Sequence, residues 1–204
     1  MKSINIMIDI FDNFYKGKRV LITGHTGFKG SWLSIWLNEL GAEVIGVAKD
    51  PFSDRDNFVL SRIGKKIKAD LRADIRDGEK MKKIFCEYKP DIVFHLAAQP
   101  LVRLSYDIPV ETYETNVMGT INIMEAIRVT QSVKVAVMIT TDKCYETKSR
   151  FGGIGKTSQW VDMIRILLLK DVVSLQYLLG DVVFLILKII FSMVRVLRVS
   201  GQVM

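Results

Sequence analysis

The chain has 204 residues, 49% of them hydrophobic and 25% charged, with 29 basic against 22 acidic side chains and two cysteines, Cys86 and Cys144. That length sets one domain with a sizeable core. So few cysteines exclude a disulfide framework or a Cys-x-x-Cys metal site; no metal is expected, and the thiols suit a reducing cytoplasm. The formal charge of +7 is scattered without the aromatic–basic interleaving that holds single-stranded nucleic acid, and Asp9 and Asp12 break up the leading apolar run, which excludes a secretory signal.

From residue 19 onward the pattern alternates. RVLITG (19–24) is a short apolar run closed by glycine, as a buried parallel strand requires. Apolar residues recur at helical spacing through FKGSWLSIWLNEL (28–40), and Gly41 stops that helix. EVIGVA (43–48) is the second strand and KIKADL (66–71) a weaker third. GEKMKKIFCEYK (78–89) reads as a helix ended by Pro90, DIVFHLAA (91–98) as the fourth strand, VETYETNVMGTINIMEAIRVT (110–130) as a long helix and KVAVMITT (134–141) as the fifth strand. This alternation predicts βαβ units in a doubly wound, Rossmann-like parallel sheet: an α/β fold of which the chain carries the first five units.

After residue 148 the composition changes. The last 56 residues contain no Pro, Ala, Glu, Asn, His or Cys, and 32 of them are apolar. Within this tail GGIGKTS (152–158) ends like a phosphate-binding loop, but Arg150 stands where the opening glycine belongs and the preceding CYETKSR is no buried strand.

The first βα turn, TGHTGFKG, places Gly24, Gly27 and Gly30 between a strand and a helix, where glycine lets the backbone turn sharply and approach a pyrophosphate at the helix N-terminus. Asp50, at the end of the second strand, is either a ribose acceptor or a solvated loop carboxylate. Asp74, followed by Ile75 past the third strand, sits where an adenine would stack or is likewise a solvated carboxylate. A carboxylate at position 50 repels a 2′-phosphate and favours NAD, while Lys49 beside it works the other way. Thr141, Asp142 and Lys143 follow a central strand at the ligand-binding end of such sheets; the alternatives are a helix cap for Asp142 and a strand end for Thr141. His95, inside an apolar strand, reads as a core residue, Asn116 as a side chain tying a carbonyl, and Arg103 as either a substrate-phosphate contact or a surface arginine.

Taken together, TGHTGFKGSWL, DIRD, FHLAAQPLVRLSY, TNVMGT and TTDKCYE resemble the extended short-chain dehydrogenase/reductases of the NAD-dependent epimerase/dehydratase type, and among them the CDP-glucose 4,6-dehydratases, over roughly residues 14–147. The resemblance implies a nucleotide-sugar 4,6-dehydratase acting on CDP-glucose with NAD as cofactor. It implies that Gly24, Gly27, Phe28 and Gly30 hold pyrophosphate, that Asp74 and Ile75 hold adenine, and that Leu96, Ala97 and Ala98 flank the cofactor. It further implies that Thr141 hydrogen-bonds the oxygen at C4, that Asp142 is the acid for the departing hydroxyl, and that Lys143 replaces a glutamate of related enzymes.

The superfamily's base, a tyrosine with a lysine four residues on, is missing. Tyr15, Tyr88, Tyr106, Tyr113, Tyr145 and Tyr177 are followed at that spacing by Arg19, Ile92, Val110, Val117, Ser149 and Asp181. Reading the permitted codons of residues 151–171 one base earlier yields WGYRENEPMGGYDPYSSSKG, the segment the family expects after TDKCYE. Its tyrosine falls at the Arg165–Ile166 junction and its lysine at Leu169–Lys170. The sequence therefore divides into an incomplete NAD-binding domain at 14–148 and an out-of-frame tail at 149–204, produced by a reading-frame slip near Lys148. Two consequences are expected: an apolar sheet face left bare beside the fifth strand, and loss of a helix that belongs to the family's dimer interface. The rival readings are a membrane span over 182–199, which Lys188 and Arg195 make costly, and a nucleotide-binding module without catalysis.

Overall fold

A computed structural model describes residues 10–139 and the backbone of 183–187. Six parallel strands, β1 (Arg19–Thr23), β2 (Glu43–Ala48), β3 (Ala69–Arg72), β4 (Ile92–His95), β5 (Val135–Ile139) and β6 (Val183–Leu187), form one sheet in the order β3-β2-β1-β4-β5-β6. The chain winds outward from β1 to β3, crosses to β4 and winds the other way. The exits of β1 and β4 are therefore adjacent at the point where the winding reverses, the place where open α/β sheets bind ligands. Helices α1 (Phe28–Glu39) and α2 (Asn57–Ser61) cover one face, over Val20, Ile22, Val44 and Ile92. Helices α3 (Gly78–Tyr88) and α6 (Gly119–Thr130) cover the other, over Leu21, Ile45, Val93 and Ala136. Alternate residues of each strand thus feed opposite cores, which is why the strands read as continuous apolar runs.

The predicted elements are present with shifted ends, and the shifts have local causes. β3 begins at Ala69 because a 3₁₀ turn at Ile63–Lys65 continues into the Ile67 N–H donating to the Ile63 carbonyl. β4 stops at His95 because β1 turns away at Gly24: the Leu96 N–H is shared between the Thr23 carbonyl and hydroxyl, and the Ala97 N–H donates to the hydroxyl. The long helix is α5 (Pro109–Tyr113), a π-helical turn (Glu114–Met118) and α6 in unbroken succession. The short helix α4 (Val102–Asp107) precedes it. At the opposite end of the sheet Arg19 and Asp91 join the first residues of β1 and β4 by N–H···O bonds of 3.0 to 3.2 Å. Burial raises the Asp91 pKa, but the Arg19 bonds outweigh it and hold the carboxyl below its usual range.

Two observations differ from expectation. The tail supplies a strand: β6 pairs with β5 in register from Val135 opposite Val183 to Ile139 opposite Leu187. The face of β5 is not bare, since Ala136, Val137 and Met138 are all buried. Among the described residues no helix is long and apolar enough to cross a membrane.

Gly46, in the middle of β2, has no room for a side chain, because a methyl group there would run into the buried His25 ring. Phe58 blocks that ring from its far side, edge-on with centroids 5.2 Å apart. Gly46→Ala is expected to cost about 2–3 kcal/mol in urea unfolding, and His25→Ala in the same chain is expected to recover part of the loss. A cost below about 0.5 kcal/mol would show that the ring has somewhere to go.

Candidate functional site

The turn after β1 is shaped by what it cannot accommodate. Gly24 has φ +75°, a left-handed conformation that favours glycine, and a Cβ there would lie 2.9 Å from the Ala97 nitrogen at the exit of β4. A methyl at Gly30 would collide with the Gly24 carbonyl, so α1 starts directly against the turn. The turn is tied down by Gly24 N–H to the Val47 carbonyl (2.8 Å), Gly27 N–H to the Gly24 carbonyl (3.1 Å) and the Thr26 hydroxyl to the Lys49 carbonyl (3.1 Å). At its end Gly27 caps α1 without any side-chain bond, and no acidic residue stands in the first turn. The first N–H groups of α1 thus point from the sheet's switch point with no internal anion to satisfy them, the arrangement that receives a phosphate.

Beside the turn, two charge clusters sit at the exits of β2 and β3. In the first, buried His25 meets Asp70 through Nε2 (2.7 Å), and its Nδ1 is buried without a hydrogen-bond partner. Burial holds this imidazole below its ordinary pKa, with Asp70 opposing and Arg72 reinforcing the effect. Arg72 binds both oxygens of Asp70 through its two Nη atoms, donates from Nε to Asp50 Oδ1 (2.9 Å) and lies over the Phe58 ring at 5.2 Å. In the second cluster Asp74 accepts from the Arg76 backbone N–H (3.0 Å), from Arg76 Nε (2.9 Å) and Nη2 (2.7 Å), and pairs with Lys49 Nζ at 3.0 Å. Burial alone would raise the Asp74 pKa, but the Arg76 and Lys49 bonds prevail and bring it down to about 2.

The exit of β4 is organised by a hydroxyl–imidazole–hydroxyl chain whose direction is fixed. The Thr23 hydroxyl oxygen accepts from the Leu96 and Ala97 N–H groups (3.1 and 3.2 Å), which fills its two lone pairs, so its proton goes to His95 Nδ1 at 2.7 Å. The Thr120 hydroxyl gives its proton to the Asn116 carbonyl (2.7 Å) and therefore accepts from His95 Nε2 at 3.0 Å. His95 is accordingly the Nε2–H tautomer. Asn116, in the π turn, uses its amide as a two-bond clamp on residue 99: its Oδ1 accepts from the Gln99 N–H (2.8 Å) and its Nδ2 donates to the Gln99 carbonyl (3.1 Å). Residues 96–99, which have left the sheet, are thus held between β1 and the helix.

The GDP-mannose 4,6 dehydratase family model matches residues 21–150, spanning the turn, both charge clusters and the β4 exit. The chain belongs to the GDP-mannose 4,6 dehydratase family. It is 52% identical over 142 residues to a CDP-glucose 4,6-dehydratase from Salmonella typhimurium, which is 70% of this chain and 39% of that protein. Similar solved structures include UDP-glucose 4-epimerases. The protein from Stenotrophomonas maltophila, solved with bound NAD and formylated UDP-arabinopyranose, has TM-score 0.64 and 25% identity over 91% of this chain and 50% of its own. The Thermus thermophilus protein, solved with NAD, has TM-score 0.60 and 30% identity over 70% of this chain and 44% of its own. The chain spans about two fifths of the length of the curated relatives it matches.

Within this family member the structure brings Gly24, Gly27, Phe28, Gly30, Asp50, Asp74, Ile75, Leu96, Ala97 and Ala98 to the C-terminal edge of the sheet. Asp50 is 86% exposed and tied to Arg72. Ile75 turns its side chain into the core against Gly119, and its carbonyl accepts from Asn122 Nδ2 at 3.0 Å, so only its backbone lies at the edge. Phe28 is exposed at the start of α1, and Arg103 is exposed on α4. Asn116 does tie a carbonyl and His95 is a core residue. Thr141, Asp142 and Lys143, like GGIGKTS, lie outside the described residues. The reading of individual residues missed Arg72, Asp70, Arg76, Thr23 and Thr120. For Thr23, Asp70, Arg72 and Arg76 the one signal available was a polar residue in or just after a strand, and Thr120, on α6, carried none.

Two outcomes follow from these bonds. The Asp74 pKa is depressed, so its contribution to stability is present above the unfolded value near 4 and is lost as pH falls through about 2. Asp74→Asn is therefore expected to cost about 1 kcal/mol near neutral pH after solvent screening and to flatten the acid limb of a stability–pH curve below pH 4; an unchanged limb would contradict the pairing. Thr120→Val leaves His95 Nε2–H and the Asn116 carbonyl unpaired and is expected to cost about 2 kcal/mol, whereas Thr120→Ser should cost well under half of that. Equal losses in thermal unfolding would mean that the hydroxyl does not carry the chain.

Proposed function

We propose that this chain is the dinucleotide-holding part of a sugar-nucleotide 4,6-dehydratase, that it binds NAD, and that CDP-glucose is the substrate of the enzyme to which this part corresponds. The observation carrying the reading is the 52% identity to a CDP-glucose 4,6-dehydratase over 142 residues, against 31% to a GDP-mannose 4,6-dehydratase from Vibrio cholerae. The residues fit a dinucleotide: a glycine turn with no room for side chains and an uncapped helix start for the pyrophosphate. Asp74 is held ionised for the adenosine end, and residues 96–98 are fixed beside the turn. NAD, when bound, supplies a hydride acceptor and donor for the sugar. The chain's share is to bind and orient it, with Thr141 at the C4 oxygen, Asp142 as the proton donor to the leaving hydroxyl and Lys143 beside them.

The same reading makes this polypeptide inactive as a dehydratase, because no tyrosine of the six has a lysine four residues on to lower its pKa for taking the C4 hydroxyl proton. The family match ending at residue 150 agrees with a reading-frame slip near Lys148, which divides an NAD-binding domain (14–148) from a tail (149–204) outside the family pattern. Calorimetry on the full chain is expected to give NAD binding with no turnover of CDP-glucose. Restoring the earlier frame by a single-base change near codon 148 is expected to bring a Tyr-x-x-x-Lys pair and dehydratase activity. Conversion of CDP-glucose by the present chain, or a restored frame lacking that pair, would refute the proposal.

A further inference from the structure

We propose that residues 4–9, which precede the described part of the chain, lie extended along the outer face of α1 and cover an aromatic stripe there. Helix α1 carries its bulk on the side away from the sheet. Its buried residues are Gly30, Ser31, Ser34 and Leu37, and it starts directly against the Gly24 carbonyl. The two serine hydroxyls donate within the helix, Ser31 to the Phe28 carbonyl (2.9 Å) and Ser34 to the Gly30 carbonyl (2.8 Å). Phe28, Trp32 and Trp36, spaced four residues apart and so on one helix face, are 75%, 54% and 39% exposed. Beyond the last turn of α1 the Phe11 ring lies 5.9 Å from that of Trp36, and Tyr15 stands edge-on to both Phe11 and Phe14. Phe11 and Phe14 are themselves about half exposed. Single exposed apolar side chains are ordinary, whereas a contiguous patch of large ones marks a contact surface.

The chain itself supplies what fits this patch. Ile4, Ile6, Ile8 and Ile10 alternate with Asn5, Met7 and Asp9, the period-two pattern of an extended segment with one wholly apolar side. Phe11, next in the chain, already rests on Trp36, so the segment sets out from one end of the stripe. From Trp36 back to Phe28 the helix covers about 12 Å, and six extended residues reach about 20 Å. The pitches agree as well: alternate isoleucines repeat every ~7 Å and the aromatic side chains every ~6 Å. Phe11, Asp12 and Asn13 have φ of +63°, +49° and +58°. Side chains of this kind keep a left-handed run only where their surroundings hold it, and the Trp36 and Tyr15 rings hold Phe11. A second copy of the chain is the rival occupant, and nothing ties it to this register or to this end of the stripe.

Acrylamide quenching of the full chain carrying Trp160→Phe, which leaves Trp32 and Trp36 as the tryptophans, tests this. Ile4→Ser, Ile6→Ser and Ile8→Ser together are expected to raise the quenching constant about twofold or more, while Met7→Ser, on the opposite side of the same segment, changes it by less than about 1.3-fold. Quenching of the parent chain is expected to stay constant between about 1 and 50 µM protein, because an attached segment has a fixed effective concentration. Quenching that weakens as the protein is concentrated gives the stripe to a second copy and overturns the proposal. An unchanged constant in the triple-serine variant, or an equal rise in Met7→Ser, overturns it too. The reciprocal measurement is cleavage by an endoproteinase that cuts before aspartate. Trp32→Gln, at an exposed helix position, is expected to speed the cut between Ile8 and Asp9 about fivefold or more, since a segment that leaves its contacts opens to proteolysis. That rate decides the matter should the triple-serine variant fail to fold, and an unchanged rate overturns the proposal. None of these measurements involves a nucleotide, so their failure leaves the dinucleotide reading intact.

Discussion

The site depends on one close approach: the backbone of Gly24 passing beside the nitrogen of Ala97. Two parallel strands leave the sheet at this point, and their exits draw together only because residue 24 has no side chain and takes a left-handed conformation. The turn then brings Gly30 against the Gly24 carbonyl and sets α1 immediately behind it. Thr23 completes the junction, its hydroxyl accepting from the Ala97 N–H and sharing the Leu96 N–H with its own carbonyl. Enlarging residue 24 would move the helix start, the β4 exit and the hydroxyl–imidazole chain together, since each is positioned against the others.

Around that junction the protein resolves a conflict between burial and charge. Polar groups inside an α/β core cost free energy unless every one is paired. His95 meets the requirement with a threonine on each side, and Asn116 by imitating a β-pair on residue 99. His25 meets it only half-way, with one nitrogen on Asp70 and the other unpaired. Such an incompletely satisfied group beside a ligand turn is the kind of local cost that folds carry at functional positions.

The fold was legible in the sequence because strands buried on both faces are written as unbroken apolar runs, and helices long enough for several turns show their period. Helices of five or six residues, α2 and α4, are too short to show one and went unseen. The cradle was legible because its glycines adjoin in sequence. The charge clusters were not: Asp70 and Arg72 reach His25 across 45 and 47 residues, and only the parallel register of β2 with β3 brings them together. Asp50 illustrates the limit, since the arginine that engages it stands 22 residues further along the chain. β6 was missed for another reason: VFLIL, with Gly180–Asp181 before it but a further apolar run after it, reads equally as a strand or as part of an apolar helix.

That last strand has a consequence for how such sheets acquire material. A ladder of parallel hydrogen bonds recognises backbone, and VFLIL is apolar at all five positions, with β-branched residues at Val183 and Ile186. The margin of β5 thus pairs with a segment that lies outside the family match at 21–150, as the edge of a sheet can with an extended backbone. Because that ladder is made of backbone groups, the sheet is extended at β5 without any requirement for a particular side chain on the added strand.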